Sequence, residues 1–250
     1  MQKTNISYLD FTWNPGCGCP LPVPSAGCAK CWARDVHDKR HSAYKAGKKL
    51  PVQYARPFHE LQFFEDRLTD PLHRRKPTKI GVQFMGDLFA FPFEWVEKVM
   101  AVIEQCPQHT FMVLTKRPHI MTEYFNGLGK RFELSCCSNL HLGVTVESPD
   151  NVGRIDELIR TPAAGRFLSL EPLIGRIDLG KQDMSGIDKV IVGSESIGRR
   201  CGRKCDIQWV REIVQQCRHS NTKVHIKQLA IDGQLIKDVN LFPEGLKIQE

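Results

Sequence analysis

No apolar stretch in these 250 residues is long enough to cross a bilayer; runs such as "KVIVG" at 189–193 end after a few positions. The opening "MQKTNISYLDFTW" lacks the charged-then-apolar pattern of a secretory leader, so the expected location is cytoplasmic. Low-complexity tracts and repeats of fixed period are also missing, which sets aside solenoids and linker-rich chains. What is left, 41% hydrophobic and 25% charged residues, is globular material able to bury a sizeable core.

Acidic residues are the scarcer charge: 28 Asp and Glu stand against 35 Lys and Arg, a formal net charge of +7. The excess gathers in "KRHSAYKAGKK" (39–49), "HRRKPTK" (73–79) and "RRCGRK" (199–204). Such segments suit a polyanion, because neutralised phosphates release counterions. A solvated basic surface is the plainer reading of the same runs.

Strand-like and helical patterns alternate along the chain. Runs rich in Val, Ile, Phe and Leu predict strands over 8–13, 79–85, 110–115, 140–146, 165–170, 189–193 and 223–228. Helices are predicted over 28–46, 58–68, 94–106, 118–128, 150–160 and 206–219. In the last, Asp206 is the expected N-cap and Ile207, Val210, Ile213 and Val214 fall on one face. This alternation predicts one α/β domain over 1–250 with a parallel sheet of six or seven units. It leaves open a full or partial barrel or an open doubly wound sheet, with 47–78 as an insertion or extended crossover.

In parallel α/β folds, ligands bind at the carboxyl ends of the strands. Read in order, those ends carry "NPGCGC", Gly86-Asp87, Lys116-Arg117, Glu147-Ser148, Glu171-Pro172, Ser194-Glu195-Ser196 and Lys227-Gln228. Turns favour Gly, Asn, Asp and Ser, whereas this rim is heavy in Glu and Lys. Acids and bases converging on one mouth need partners or a ligand, so the rim predicts a functional pocket.

Ten cysteines in a reducing compartment are expected to stay unpaired and to bind metal or react. Four fall in "NPGCGCPLPVPSAGCAKCWARD" (14–35): Cys17, Cys19, Cys28 and Cys31. A zinc site would use all four, although the C-x-C half strains the bite on one ion. A redox CxxC would use Cys28 and Cys31 alone. An iron–sulfur cluster on three thiolates would use Cys28, Cys31 and one upstream cysteine. Position favours the cluster, because the cysteines fall in the first βα loop, on the same rim as the other polar residues. A looser group, Cys201, Cys205 and Cys217, has the residues for an auxiliary iron–sulfur or zinc centre or for a hydrogen-atom donor, and reads more simply as unpaired thiols in a basic loop.

"TWNPGCGC…SAGCAKCWA", "FMGDLFAFPFEWV", "PQHTFMVLTKRP", "LGVTVES", "RFLSLEPLIG" and "VIVGSES" resemble, in order, an uncharacterised phage Gp37/Gp68-like family with a three-cysteine motif. That family in turn resembles radical S-adenosylmethionine (SAM) enzymes of the spore photoproduct lyase type. The resemblance implies a parallel (β/α)6–7 full or partial TIM-like barrel, with Cys19, Cys28 and Cys31 holding a [4Fe–4S] cluster. The superfamily spacing is C-x3-C-x2-C, so the eight residues between Cys19 and Cys28, and the extra Cys17, depart from it. Trp32 stands where tyrosine is commoner.

The resemblance further implies that the open iron binds SAM and that reductive cleavage yields a 5′-deoxyadenosyl radical. Gly86 and Asp87 would face the SAM ammonium, Lys116 or Arg117 its carboxylate, and Glu147 or Ser148 the ribose. Glu171 and Glu195 are the candidate catalytic residues on the substrate side. With the basic loops, this predicts modification or repair of a nucleic-acid base, with a hypermodified thymidine in phage DNA as a candidate. "RRCGRK" is the expected phosphate grip. A reductase such as flavodoxin or ferredoxin is the expected partner, in the host cytoplasm if the protein is phage-encoded. The competing classes are a zinc-stabilised nucleic-acid-binding protein without catalysis, and a barrel enzyme acting on a small metabolite.

Overall fold

The computed structural model describes the chain apart from residues 21–22, 128–137 and 199. Seven strands stand side by side in chain order: β1 (Phe11–Trp13), β2 (Lys79–Val82), β3 (Thr110–Thr115), β4 (Leu140–Thr145), β5 (Gly165–Leu170), β6 (Lys189–Gly193) and β7 (Lys223–Ile231). Every neighbouring pair among them is parallel. Between them run α1 (Ala26–Ala29), α2 (Trp32–Lys45), α3 (Phe93–Glu104), α4 (Pro118–Gly127), α5 (Arg154–Arg160) and α6 (Ile207–His219).

Strand order that never reverses means each right-handed crossover steps the same way, so the helices collect on one face. Side chains then sort by the two-residue period of a strand. Ile80, Phe111, Val113, Leu142 and Leu168 join the main core, together with Val96 and Ile103 of α3 and Ile213 of α6. The alternate residues Met112, Phe167 and Ile191 form a second, smaller cluster with Tyr8 and Leu9. Gly143 has no Cβ because the Phe167 ring lies across it. The segment before β1 therefore floors the helix-free face of the sheet with apolar side chains.

The barrel expectation is corrected in its closed form: among the described residues β1 and β7 do not pair. The ladder groups needed for closure are already in use. Gln2–Lys3 pairs with β1, and β8 (Gln234–Ile236) pairs with the end of β7. The earlier part of β7 bonds the tail, Ile226 N donating to Ile248 O and Glu250 N to Val224 O. The doubly wound alternative also goes, because the order has no switch point.

Two helix expectations change. The stretch 28–46 breaks at Lys30, giving the short α1 and then α2, with Cys31 as N-cap. Residues 58–68 hold no α-helix: Gln62–Phe63 pairs with Gly16–Cys17, and single 3-10 turns follow. Segment 47–78 thus packs against the cysteine loop. Asp206 caps α6 as expected, accepting from Gln208 N at 2.9 Å. Among the described residues no helix is long and apolar enough to cross a membrane.

Candidate functional site

After β1 the chain pairs briefly through Gly16–Cys17 and then turns at Gly18, whose φ of 105° an L side chain rarely adopts. Gly18 N donates to Met85 O at 3.2 Å, and a Cβ on Gly86 would strike the Gly18 carbonyl. Glycine is thus required where the first and second strand-end loops touch.

In an unbroken strand Cys17 and Cys19 would share a face. The turn at Gly18 gives them different surroundings. Cys17 is 1% exposed, with Sγ 3.3 Å from His37 Nδ1, and burial pushes its thiol up to about 11. Cys19 is half-buried, and Arg117 Nη2 donates to its Sγ at 3.6 Å. Burial raises the Cys19 thiol, the Arg117 bond draws it back, and neighbouring Asp87 and Cys28 add to the rise. Cys28 sits in α1 and Cys31 starts α2; both are half-buried.

Asp87 ties the ends of β2 and β3 together. Its Oδ1 accepts from Thr115 Oγ1 at 2.7 Å and Phe89 N at 3.1 Å, and its Oδ2 accepts from Lys116 N at 3.0 Å. Lys116 itself is half-buried, and its ammonium has no ion pair among the described residues. A Cβ on Gly27 would lie 3.3 Å from Lys116 Cε and 3.4 Å from Glu147 Oε1. Glu147 is completely buried: Oε1 accepts from the Ser25 hydroxyl and from Gly27 N at 3.3 Å, and Oε2 from Arg154 Nη1 at 3.0 Å. Ser148 donates to Asn151 Oδ1 at 3.1 Å within its own turn.

On the β5–β7 side, Glu171 Oε1 pairs with Lys227 Nζ at 2.9 Å, and a Cβ on Gly193 would come within 2.6 Å of that oxygen. The Tyr8 phenol is held well above its usual range by burial and by the adjacent Glu171. Glu195 is engaged with Arg203, accepting from its N at 2.7 Å, its Nε at 2.9 Å and its Nη2. That bonding holds the Glu195 carboxyl below its usual range.

The structure thus brings Cys19, Cys28, Arg117 and Asp87 into one neighbourhood and Lys116, Gly27 and Glu147 into the next. Glu195 belongs instead to a brace for the Ser196–Ile197 and Arg200–Cys201 hairpin. Arg203 is part of that brace, while Arg200 and Lys204 are exposed; Arg199 lies outside the described residues. Cys205 and Cys217 are buried in the main core, and burial pushes Cys217 up to about 12. Cys106 is also buried, while Cys136 and Cys137 lie outside the described residues. Among the described residues no three His, Cys, Asp or Glu side chains gather closely enough to hold a single metal ion.

Several partners escaped the sequence reading. Ser25 carries the signal of a residue just before a helix, but Arg154 and Tyr8 have none. His37 shows only as a polar residue four positions after buried Ala33 on the inner side of α2.

These features define a singly wound, mostly parallel α/β protein with a cysteine-bearing loop at the carboxyl edge of its sheet. The chain belongs to the family described as Protein of unknown function (DUF5131), whose profile matches residues 3–238. No curated protein matches it. Among solved structures it is similar to a spore photoproduct lyase double mutant with bound AdoMet and dinucleoside spore photoproduct. That match has 11% identity and a TM-score of 0.49, covering 94% of this chain and 69% of the other. A spore photoproduct lyase complexed with dinucleoside spore photoproduct gives 12% identity and a TM-score of 0.45 over the same shares.

Proposed function

We propose that this chain is a radical SAM iron–sulfur enzyme acting on a nucleic-acid base, in which Cys19, Cys28 and Cys31 hold a [4Fe–4S] cluster. The observation that carries the reading is the division of labour at Gly18. Cys17 is committed to His37 in the interior, while Cys19 stands half-buried beside Cys28 and the Arg117 guanidinium. The donor set fits the cluster: three thiols, one bonded by a fixed cation, on a loop and two helix starts. A four-thiolate zinc site would need Cys17 to leave its buried partner.

Loaded, the cluster and SAM would supply one-electron cleavage of a carbon–sulfur bond and hydrogen abstraction from the substrate. The chain's own part is positioning. Lys116, an ammonium without an ion pair among the described residues, is the group for the SAM carboxylate, with Arg117 beside it on Cys19. Gly86 lets the first two strand-end loops touch, and the Asp87 carboxylate clamps the β2 and β3 ends so that Lys116 is aimed. Glu147 fixes the start of α1 against β4, and Gly27 leaves room between it and Lys116; Ser148 stays in the adjoining turn.

Glu171 with Lys227 and Tyr8 offers a donor–acceptor edge over the apolar floor, suited to a planar base. The exposed Arg200 on the hairpin braced by Glu195, and the exposed Lys204 just beyond it, are the phosphate grip. A flavodoxin- or ferredoxin-type reductase, a phage Gp37/Gp68-like origin and a cytoplasmic setting complete the reading.

Anaerobic reconstitution with iron and sulfide, followed by assay of dithionite-driven SAM cleavage, tests it. A brown protein that releases 5′-deoxyadenosine, abolished in Cys19→Ala and kept in Cys17→Ser, is the expected result. A colourless protein with stoichiometric zinc and no cleavage overturns it in favour of the zinc-stabilised binding protein.

A further inference from the structure

Eight residues separate Cys19 from Cys28, so chain connectivity alone does not set where Cys19 stands. Something else must hold the upstream thiol against the other two, and the contacts converge on His37. This ring is completely buried, lying 5.2 Å from the Tyr54 ring and 5.3 Å from that of Phe58. Its Nε2 is 2.9 Å from Arg56 O. A carbonyl only accepts, so Nε2 carries a proton and donates, which leaves Nδ1 to meet the thiol. The group facing Nδ1 at 3.3 Å is the Cys17 thiol, which donates.

The same crossover also holds the next residue but one, because Cys19 N donates to Phe58 O at 2.9 Å. His37 lies six positions beyond Cys31 on α2, a rigid span of about 9 Å at helical rise. The route from Cys31 through α2 to His37, across to Cys17 and on to Cys19 is therefore short and stiff. The direct route from Cys19 runs through eight further residues before it reaches Cys28.

We propose that Cys17 and His37 form a latch whose task is to fix Cys19 in register with Cys28 and Cys31. Cys17 is then a positioning residue rather than a ligand, and His37 is the hub joining α2, the cysteine loop and the 54–58 crossover. The inference rests on the cluster reading above, but its geometry exists in the cluster-free protein.

The latch is tested in both states. In the reconstituted protein, the rate at which a chelator strips the brown chromophore is measured for wild type, Cys17→Ser, Cys17→Val and His37→Leu. Loss about tenfold faster in Cys17→Val and His37→Leu is expected, the usual scale for groups that orient ligands. Cys17→Ser, which still donates to Nδ1, should stay near wild type. In the cluster-free protein, a short bifunctional alkylating reagent such as dibromobimane, losing bromide at each thioether it forms, should bridge Cys19 to Cys28, read by peptide mapping, and the same two variants should slow it about as much. Far-UV circular dichroism confirms that each variant is folded.

Equal rates across all four proteins in both assays overturn the latch. So does a Cys17→Ser protein as defective as Cys17→Val, since the sulfur itself would then be required. A wild type that takes up no cluster yet shows the bridging pattern sinks the cofactor assignment and leaves the latch standing.

Discussion

Arg154 on α5 reaches back to Glu147 at the end of β4, placing Nη1 3.0 Å from an oxygen of a carboxylate that has no solvent contact at all. The same guanidinium also donates to Thr145 O at 2.7 Å. Removing it strands a buried charge, so Arg154→Met is expected to cost about 3–5 kcal/mol in urea unfolding. Glu147→Gln in that background should recover part of the loss, because the charge goes with it. Additive penalties in the double variant would show that the pair is not coupled.

Lys116 presents the opposite case, a half-buried cation that the described fold does not use. Lys116→Met should leave the melting temperature close to wild type while weakening SAM binding about ten- to a hundredfold, the scale of one charge-assisted hydrogen bond. Calorimetric titration of the reconstituted protein reads the affinity. Unchanged affinity would overturn the proposed role of Lys116.

Nucleic-acid binding through the hairpin should show in salt dependence rather than in one affinity. Arg200→Ala with Lys204→Ala is expected to lower the slope of log K against log salt by about 1–2. Arg203 is the wrong residue to remove for this purpose, since Arg203→Ala also releases Glu195 and disturbs the hairpin. A slope unaltered by the double variant would place the phosphates elsewhere.

Stability should depend on His225. Burial, and then the charge of Lys189, lower its pKa to about 4, and its Nε2 is 2.7 Å from Ser7 Oγ. Below the unfolded value near 6.5 the unfolded chain takes up a proton that the folded ring refuses. The stability present above pH 6.5 is therefore lost as pH falls toward 4, by up to about 3 kcal/mol. Urea midpoints across that window, steep for wild type and flatter for His225→Gln, check the sign.

The strands that could be read to the residue, Thr110–Thr115, Gly165–Leu170 and Lys189–Gly193, are rich in Val, Ile, Leu and Phe and buried on both faces over most of their length. The first strand was harder. Tyr8 and Leu9 look like strand residues, but they turn into the floor cluster and leave only Phe11–Trp13 in the ladder. Residues 58–68 mix apolar and charged side chains at helical spacing, yet Gln62–Phe63 answers to Gly16–Cys17, a partner far back along the chain. Local pattern carries no trace of such pairing.

The rim was legible because charged residues at strand ends stand out from ordinary turn chemistry. The partition of its members was not. Cys17 and Cys19 flank one glycine and look equivalent in the sequence, and the positive φ at Gly18 decides which thiol faces His37. Glu195 reads like Glu171 until Arg203 is seen to grip it.

Strands laid down in unbroken chain order carry a consequence for synthesis. Each new parallel strand finds its partner already waiting at the growing margin, so no finished pairing has to open for a later one. The cysteine loop belongs to the oldest part of that construction, whereas Lys227 arrives last. The two sides of that sheet edge are made at opposite ends of translation, and the nascent chain holds its thiols well before the β5–β7 side exists to face them.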